Sequence, residues 1–489
     1  MVYRRLLKLS IPWGILLVFL SAGINNSAEG WKKVDVILER IVPPSFPDNT
    51  FNISDFGAIP GGVFDCTNAI RNAINTCHDQ GGGKVIVPEG TYLTGSVHMK
   101  SNVNLHLDQG ARLLFSQDPD SYLPLVHARF EGNDLMNYSP MIYAKQVENI
   151  AITGDGILDG NADTAHWWPW KGNDRSGWHP GEPNQKMDRD RLVEMANQGI
   201  PYEQRIFGEG HYIRMNFIQF IDAKKILIEG VTVINSPMWE INPVLCKNIT
   251  IRNLKITSHG PNNDGCNPES CSDVLIENCY FDTGDDCIAI KSGREEDGRK
   301  INIPSENIII RNCRMKDGHG GVVIGSEISG GCRNVFVENC TMDSPNLDRA
   351  LRIKSNSLRG GIIENIYVRN VTVGQVKQAV ILVDFFYAEG DVGNYAPVVR
   401  NIFVENVTST ESQYALYIKG YKRSPVSNIY ITDCHFNGVR EENLLFHVEN
   451  LNFTNSYLNN KLMIQSLYDF NTQEAGIDFG YEESNNMNP

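Results

Sequence analysis

The chain has 489 residues, 41% of them hydrophobic, and a formal charge of -14 at pH 7. That length and composition support a large ordered core and exclude wholesale disorder. The acidic balance argues against a nucleic-acid partner, which is bound through Lys and Arg clusters, but an anionic substrate stays open because charges beyond about 8–10 Å are largely screened.

In chain order, Arg4, Arg5 and Lys8 precede the apolar run Ile15–Leu20, and small or polar residues follow from Ser21 to Ala28. This is the pattern of an export signal over residues 1–28, with 29–489 as one mature domain. The alternative for this stretch is a buried N-terminal helix. The run is too short to cross a membrane and no later segment reaches the ~20 apolar residues required. The expected location is therefore secreted or periplasmic, with no membrane attachment after cleavage. From Thr67 to His78, Ala69, Ile70, Ala73, Ile74 and Cys77 fall on one helical face, with Asp65 or Thr67 as N-cap and Gly81-Gly82-Gly83 as terminator.

Further on, a short pattern returns: Asn or Asp, aliphatic, any, aliphatic, any, then Asn-like. It stands at Asn248–Asn253, Asp273–Asn278, Asn307–Asn312, Asn334–Asn339, Asn365–Asn370, Asn401–Asn406 and Asn428–Asp433. The alternation is that of strands with one buried and one wet face. Units roughly 22–36 residues apart cannot bury a hydrophobic face alone, so stacking into a solenoid is expected. The fold class is all-β, a parallel β-helix, with the Thr67–His78 helix plugging its N-terminal end. Blade and Leu-rich repeat patterns are missing, which argues against a propeller or a horseshoe. The repeat fades after about Asn455, and the acidic, Asn-rich tail after Glu474 is expected to fray.

Between about 161 and 215 the repeat is interrupted by a segment holding Trp167, Trp168, Trp170 and Trp178. Two readings stand: a loop over the functional face, with indoles suited to sugar stacking, or a second small core packed on the solenoid. The eleven Cys show no Cys-x-x-Cys spacing, and Cys279, Cys313, Cys340 and Cys434 recur at one place of the repeat. They read as small core residues, and no metal is expected through Cys.

The repeat also serves as a ruler. Asp285 and Asp286 fall 12 and 13 positions after Asp273, and His319 falls 12 after Asn307. Asp264 follows Asn248 by 16 and Arg352 follows Asn334 by 18, with Lys354 two further on. Stacking then predicts three carboxylates beside one imidazole and two cations, with Arg352 and Lys354 on one side of their strand. Glycoside cleavage needs one protonated carboxyl for the leaving oxygen and a second carboxylate to activate water or attack carbon. Crowded carboxylates do not all ionise easily, which keeps an acid available. Arg352 and Lys354 suit a substrate carboxylate.

These residues resemble the family 28 glycoside hydrolases, which include polygalacturonases. The resemblance rests on Asn262-Asn263-Asp264, Gly284-Asp285-Asp286, Gly318-His319-Gly320 and Arg352-Ile353-Lys354 in order, with Asp55-Phe56-Gly57 and Pro88-Glu89-Gly90-Thr91-Tyr92 nearer the N-terminus. One departure is Asn263 where many members carry Thr. The resemblance implies a right-handed β-helix and an inverting hydrolase of α-1,4-linked galacturonic acid in pectin. It makes Asp285 the general acid, Asp264 and Asp286 the activators of water, and His319 a support for the acid. Arg352 and Lys354 would bind galacturonate carboxylates, with Asn262 and Tyr387 as further substrate contacts. No metal or cofactor is implied, and the partner is polygalacturonate or an oligogalacturonide. The stretches Lys291–Arg294, Asp297–Arg299 and Gly321–Glu327 look most like bacterial exo-acting members. The readings left open are endo-action, a rhamnogalacturonan-type substrate, a Ca-dependent pectate lyase on the same solenoid, and a non-catalytic polysaccharide-binding β-helix.

Overall fold

The computed structural model describes residues 27–464, so the expected export signal over residues 1–28 lies outside the described residues except for its last two, as does the tail after Glu474. The chain winds into a right-handed parallel β-helix. Each repeat strand pairs in parallel with its counterpart one coil later: Val274 with Ile308, Ile308 with Val335, Val335 with Ile366, and Ile366 with Ile402. Side chains alternate along a strand. Ile249 and Ile251, Ile308 and Ile310, and Val335 and Val337 therefore point into the solenoid, where they are buried.

The polar residue at each end of the repeat has a structural cause. Asn307, Asn334, Asn365, Asn401 and Asn428 hold φ between 56° and 61°, and Asn312, Asn339, Asn370 and Asn406 turn the other end with φ also positive. Asn tolerates this left-handed geometry, and its amide donates to one coil while accepting from the next. Amide ladders result, with Asn334 donating to Asn307 at 3.1 Å on one edge and Asn406 to Asn370 at 2.7 Å on the other. All eleven Cys are buried and unpaired.

The helix Thr67–Asp79 buries Ala69, Ile70, Ala73, Ile74 and Cys77 against the first coils, as its pattern predicts. The N-cap is Cys66, without a side-chain cap, which corrects the expectation of Asp65 or Thr67; Asp65 Oδ1 accepts from the Thr67 amide at 2.9 Å.

The outward strand face is not wholly wet, which corrects the alternation read from the sequence. Leu275, Ile309, Phe336, Tyr367 and Phe403, each at the outward middle of a repeat, are buried beneath Trp31, Val34, Ile37 and Ile41. Val34 and Ile37 belong to a helix, Lys33–Arg40. Phe336, Tyr367, Phe403 and Tyr430 stack coil on coil with ring centroids 4.9–5.1 Å apart, close to the spacing of the strands that carry them.

Two shorter parallel sheets make the functional face. The first holds Val97–His98, Ile142–Lys145, Ile218–Ile221 and Ile241–Val244. The second begins Ile288–Ile290, Val322–Ile324 and Arg349–Lys354 and continues through Ala379–Asp384, Tyr414–Lys419 and Leu444–Phe446. Cys266 bridges Ile241 to Ile288 and joins the two. Asp264 lies at that seam.

The Trp-bearing interruption folds as a satellite. Its helix Lys186–Asn197 and strand Ile206–Phe207 pack with the hairpin Val126–Phe130 and Asn133–Asn137. Leu192, Phe207 and Ile213 share a small core with Ala128, Phe130, Leu135, Met238 and Trp239.

Candidate active site

One oxygen from each of Asp264, Asp285 and Asp286 lies within 4.8 Å of the others. Coil stacking brings them together: the Gly265 amide donates to the Asp286 carbonyl, and the His319 amide to the Asp285 carbonyl, both at 3.0 Å. The equal offset of Asp285 and His319 in the repeat thus becomes direct stacking. A Cβ on Gly318 would stand 2.6 Å from the Asp285 carbonyl oxygen, so glycine is required before His319.

The side chains form a dense polar set. His319 Nδ1 lies 2.9 Å from Asp285 Oδ1, and Asn262 Nδ2 donates to Asp285 Oδ2 at 3.4 Å. Lys354 Nζ donates to Asp286 Oδ2 at 2.8 Å, and Arg352 Nη1 is 3.8 Å from Asp286 Oδ1. Ile353 between them is in the core, as the strand alternation predicts. Asn267 donates to Asp264 Oδ2 at 3.0 Å. The Tyr387 ring lies 5.2 Å from Lys354 Nζ and 5.4 Å from the Arg352 guanidinium. All eight residues singled out from the sequence line one pocket of about 1050 Å³.

Electrostatics divide the aspartates. Burial, then the Asp285 charge, pushes Asp264 well above the usual carboxylate range. Burial also acts to raise Asp285, but His319, Lys354 and Lys291 outweigh it and hold this carboxyl well below that range. Asp285 in turn raises His319 against the opposing effect of burial. These shifts favour the proton on Asp264 and His319 over Asp285, and groups this close titrate as a set. Three carboxylates at this spacing also have the form of a cation site. His319 lies 2.9 Å from Asp285 and Lys354 pairs with Asp286 at 2.8 Å, so two of the three carboxyl groups already face a basic side chain.

Several pocket residues escaped the repeat-based reading. Lys291 sits 3.8 Å from Asp264 Oδ2, pairs with Glu327 at 2.9 Å and lies 4.4 Å from the Trp239 ring. A signal was present: Ile290 and Ile353 stack through Ile324, so Ile290-Lys291 and Ile353-Lys354 are equivalent in register. Arg359, Glu131 and Lys171, in loops and turns, and Arg189, on the helix Lys186–Asn197, also line the pocket at positions that the repeat does not index.

The indoles of the interruption do not face the pocket that holds the aspartates, which corrects the expectation of indoles over the functional face. Trp167 is buried against Tyr122 and Trp170, and Trp168 Nε1 donates to the Ser236 carbonyl. None of Trp167, Trp168, Trp170 or Trp178 lines the pocket; the indole that does is Trp239. From the interruption come Lys171, Gln185, Lys186, Arg189 and Asp190 instead.

The two ends of the groove differ. Toward the N-terminus the hairpin fills the sheet face: the Arg129 amide donates to Gln219 at 2.9 Å, and its guanidinium meets Glu269 at 3.2 Å, with Gln219, Asn242 and Glu269 fully buried. Arg189 binds Glu131 at 2.6 Å and Asn197 binds Glu295 at 2.6 Å, tying interruption, hairpin and solenoid together. Toward the C-terminus, Tyr414, Tyr417 and Lys419 continue the lining two coils beyond Arg352, partly exposed.

Residues 209–456 match the family described as glycosyl hydrolases family 28, and residues 50–174 match the family described as rhamnogalacturonase A/epimerase, pectate lyase-like. The chain superposes on a hyperthermoactive exopolygalacturonase from Thermotoga maritima with a TM-score of 0.86 and 48% identity, covering 88% of this chain and 97% of that one. A family 28 exopolygalacturonase from Yersinia enterocolitica is similar with a TM-score of 0.67 and 25% identity, over 84% of this chain and 76% of that one. An exo-poly-alpha-D-galacturonosidase of Dickeya chrysanthemi is 28% identical over 401 residues, 76% of this chain and 64% of the relative. With the stacked aspartates, the imidazole and the Arg-Ile-Lys strand in one pocket, the match over more than half of the sequence shows that this chain belongs to glycosyl hydrolases family 28.

Proposed function

We propose that the protein is an exo-acting polygalacturonase, releasing galacturonate from chain ends. The observation that carries this reading is the asymmetric pocket: three aspartates among cations, closed on one side by the hairpin and interruption and open on the other. A closed end admits a chain terminus and stops further threading. The names of the exopolygalacturonases to which the chain is similar support the same substrate.

In this reading Asp285 protonates the leaving glycosidic oxygen, and Asp264 with Asp286 activates the attacking water. The electrostatics of the pocket run the other way, favouring the proton on Asp264 over Asp285. Catalysis in these roles requires Asp285 to gain a proton from His319, 2.9 Å away, while Asp264 releases its own proton to solvent. Substrates with a leaving group that needs no protonation separate the roles. Asp285→Asn is expected to regain activity on them and Asp264→Asn to stay inactive; the reverse would exchange the two residues.

Inversion at the anomeric carbon is proposed on the family resemblance. The carboxyl oxygens lie within 4.8 Å, shorter than the roughly 6.5–9.5 Å usual for inverting pairs. NMR of the first-formed product is expected to show the β-anomer; an α-anomer would establish retention.

Location outside the cytoplasm is proposed from Arg4, Arg5 and Lys8 ahead of Ile15–Leu20. N-terminal sequencing of the exported protein is expected to begin near Glu29. A start at Met1 would overturn it.

A further inference from the structure

The interruption delivers to the aspartates a cation that no sequence motif marks. Lys171 closes the short turn Trp168–Lys171, and its Nζ donates to Asn262 Oδ1 at 2.9 Å. Arg214, fully buried, donates to the same oxygen at 2.8 Å. Two cations on Oδ1 leave Asn262 with one orientation, its Nδ2 toward Asp285 Oδ2.

The two cations differ in what else they do. Arg214 directs its remaining nitrogens to the Pro237 and Pro261 carbonyls and to Gln185, at 2.9, 2.6 and 3.1 Å, and contributes nothing to the pocket lining. Lys171 lines the pocket, and its bond to Asn262 uses one of three ammonium hydrogens. It stands over the coil that precedes Asp285, whereas Arg352 and Lys354 stand on a coil that follows.

We propose that Lys171 is a specificity residue that receives the carboxylate of the galacturonate unit at the closed end of the pocket, while Arg214 alone keeps Asn262 in place. The inference rests on the polygalacturonate reading. It adds that recognition of the terminal unit comes from the interruption and not from the stacked coils.

The surroundings of Lys171 give the proposal a pH signature. Burial, then the Arg214 charge, lowers its pKa to about 8; Glu131 and Asp285 oppose this and Arg189 reinforces it. Below that pH the ammonium persists, and above it the attraction for a carboxylate is lost.

The test uses trigalacturonate and its derivative methyl-esterified on the non-reducing-terminal unit, with wild type, Lys171→Met, Lys171→Gln and, as a control, the exposed neighbour Arg175→Met. Melting temperatures establish that each variant is folded. Wild type is expected to prefer the free acid, with KM rising above about pH 8. Both Lys171 variants should raise KM for the acid about tenfold or more with kcat changed less than about threefold, the split expected when binding is lost without transition-state stabilisation. They should treat acid and ester alike and show no alkaline rise in KM, while Arg175→Met resembles wild type. An unchanged KM, or equal losses on acid and ester, would overturn the inference and leave the functional reading intact. No turnover of trigalacturonate by wild type would overturn both.

Discussion

The coils from Asn248 onward and the interruptions before them solve different problems. In the coils, one strand per turn repeats, and polar residues reach the site through stacking: His319 lies over Asp285, and Lys354 stands in register with Lys291. In the hairpin and the 161–215 segment nothing repeats. Charged side chains instead tie separate pieces together, through Arg129–Glu269 and Arg189–Glu131. The coils place the reacting groups, and the interruptions decide which end of the groove a chain can enter. Residues 175–208 fall between the two family matches.

If that division is correct, damage to the two regions yields different phenotypes. The largest effect is expected in the coils: Asp285→Asn should lower kcat on polygalacturonate by about 10²–10⁴-fold, the usual weight of general acid catalysis, with KM little changed. Steady-state rates check this, and a loss expressed only in KM would contradict the role.

The interruption should fail by unfolding or by a change of product. Arg129→Ala strands Glu269 and Asp134, both paired to its buried guanidinium; removing one partner of such a set costs about 3–5 kcal/mol. Chemical denaturation measures this. Arg189→Ala removes a clasp on Glu131 that is partly exposed on the Arg side, so a smaller loss, below about 1 kcal/mol, is expected. Its informative readout is the appearance of dimers or longer products as the closed end loosens. Monomer alone from this variant would mean the clasp does not hold the end shut.

A smaller effect, in rate versus pH, links the coils to their proton. Asp285 raises the pKa of His319, so the imidazolium persists above its ordinary range and is lost as pH rises through the raised value. The stability it contributes is present below the unfolded pKa and disappears over the same rise. Wild-type kcat/KM should therefore fall on the alkaline side of about pH 6.5. In His319→Gln the fall should move to lower pH, because a carboxyl must then hold the proton unaided. An unmoved alkaline limb would place the titration elsewhere.

The same division explains what the sequence reveals. The repeat carries its own ruler, so the β-helix and six of the site residues could be read before any coordinates were known, while the capping helix followed from its own apolar face and Asn262 and Tyr387 only from the family resemblance. Lys291 was legible only by comparing Ile290-Lys291 with Ile353-Lys354, because it follows Asp273 by 18 positions whereas Lys354 follows Asn334 by 20, so the count drifts. Lys171, Arg189 and Glu131 carry no such index; their positions follow from packing between segments far apart in the chain. The four Trp misled for a related reason, since an indole beside polar residues suits a small core as well as a sugar, and sequence does not say which surface it meets. Tyr367 and Phe403 show the converse. An aromatic at an outward strand position is wet only if nothing covers it, and here Trp31 and the helix Lys33–Arg40 do.

The central claim, a pocket closed at one end, is tested most directly by digesting polygalacturonate and short oligogalacturonides in chelator and resolving products from the earliest times. The account predicts galacturonate monomer alone from the start, with saturated ends and no dependence on divalent cations. A ladder of intermediate oligomers would contradict the closed end, and unsaturated, chelator-sensitive products would contradict hydrolysis itself.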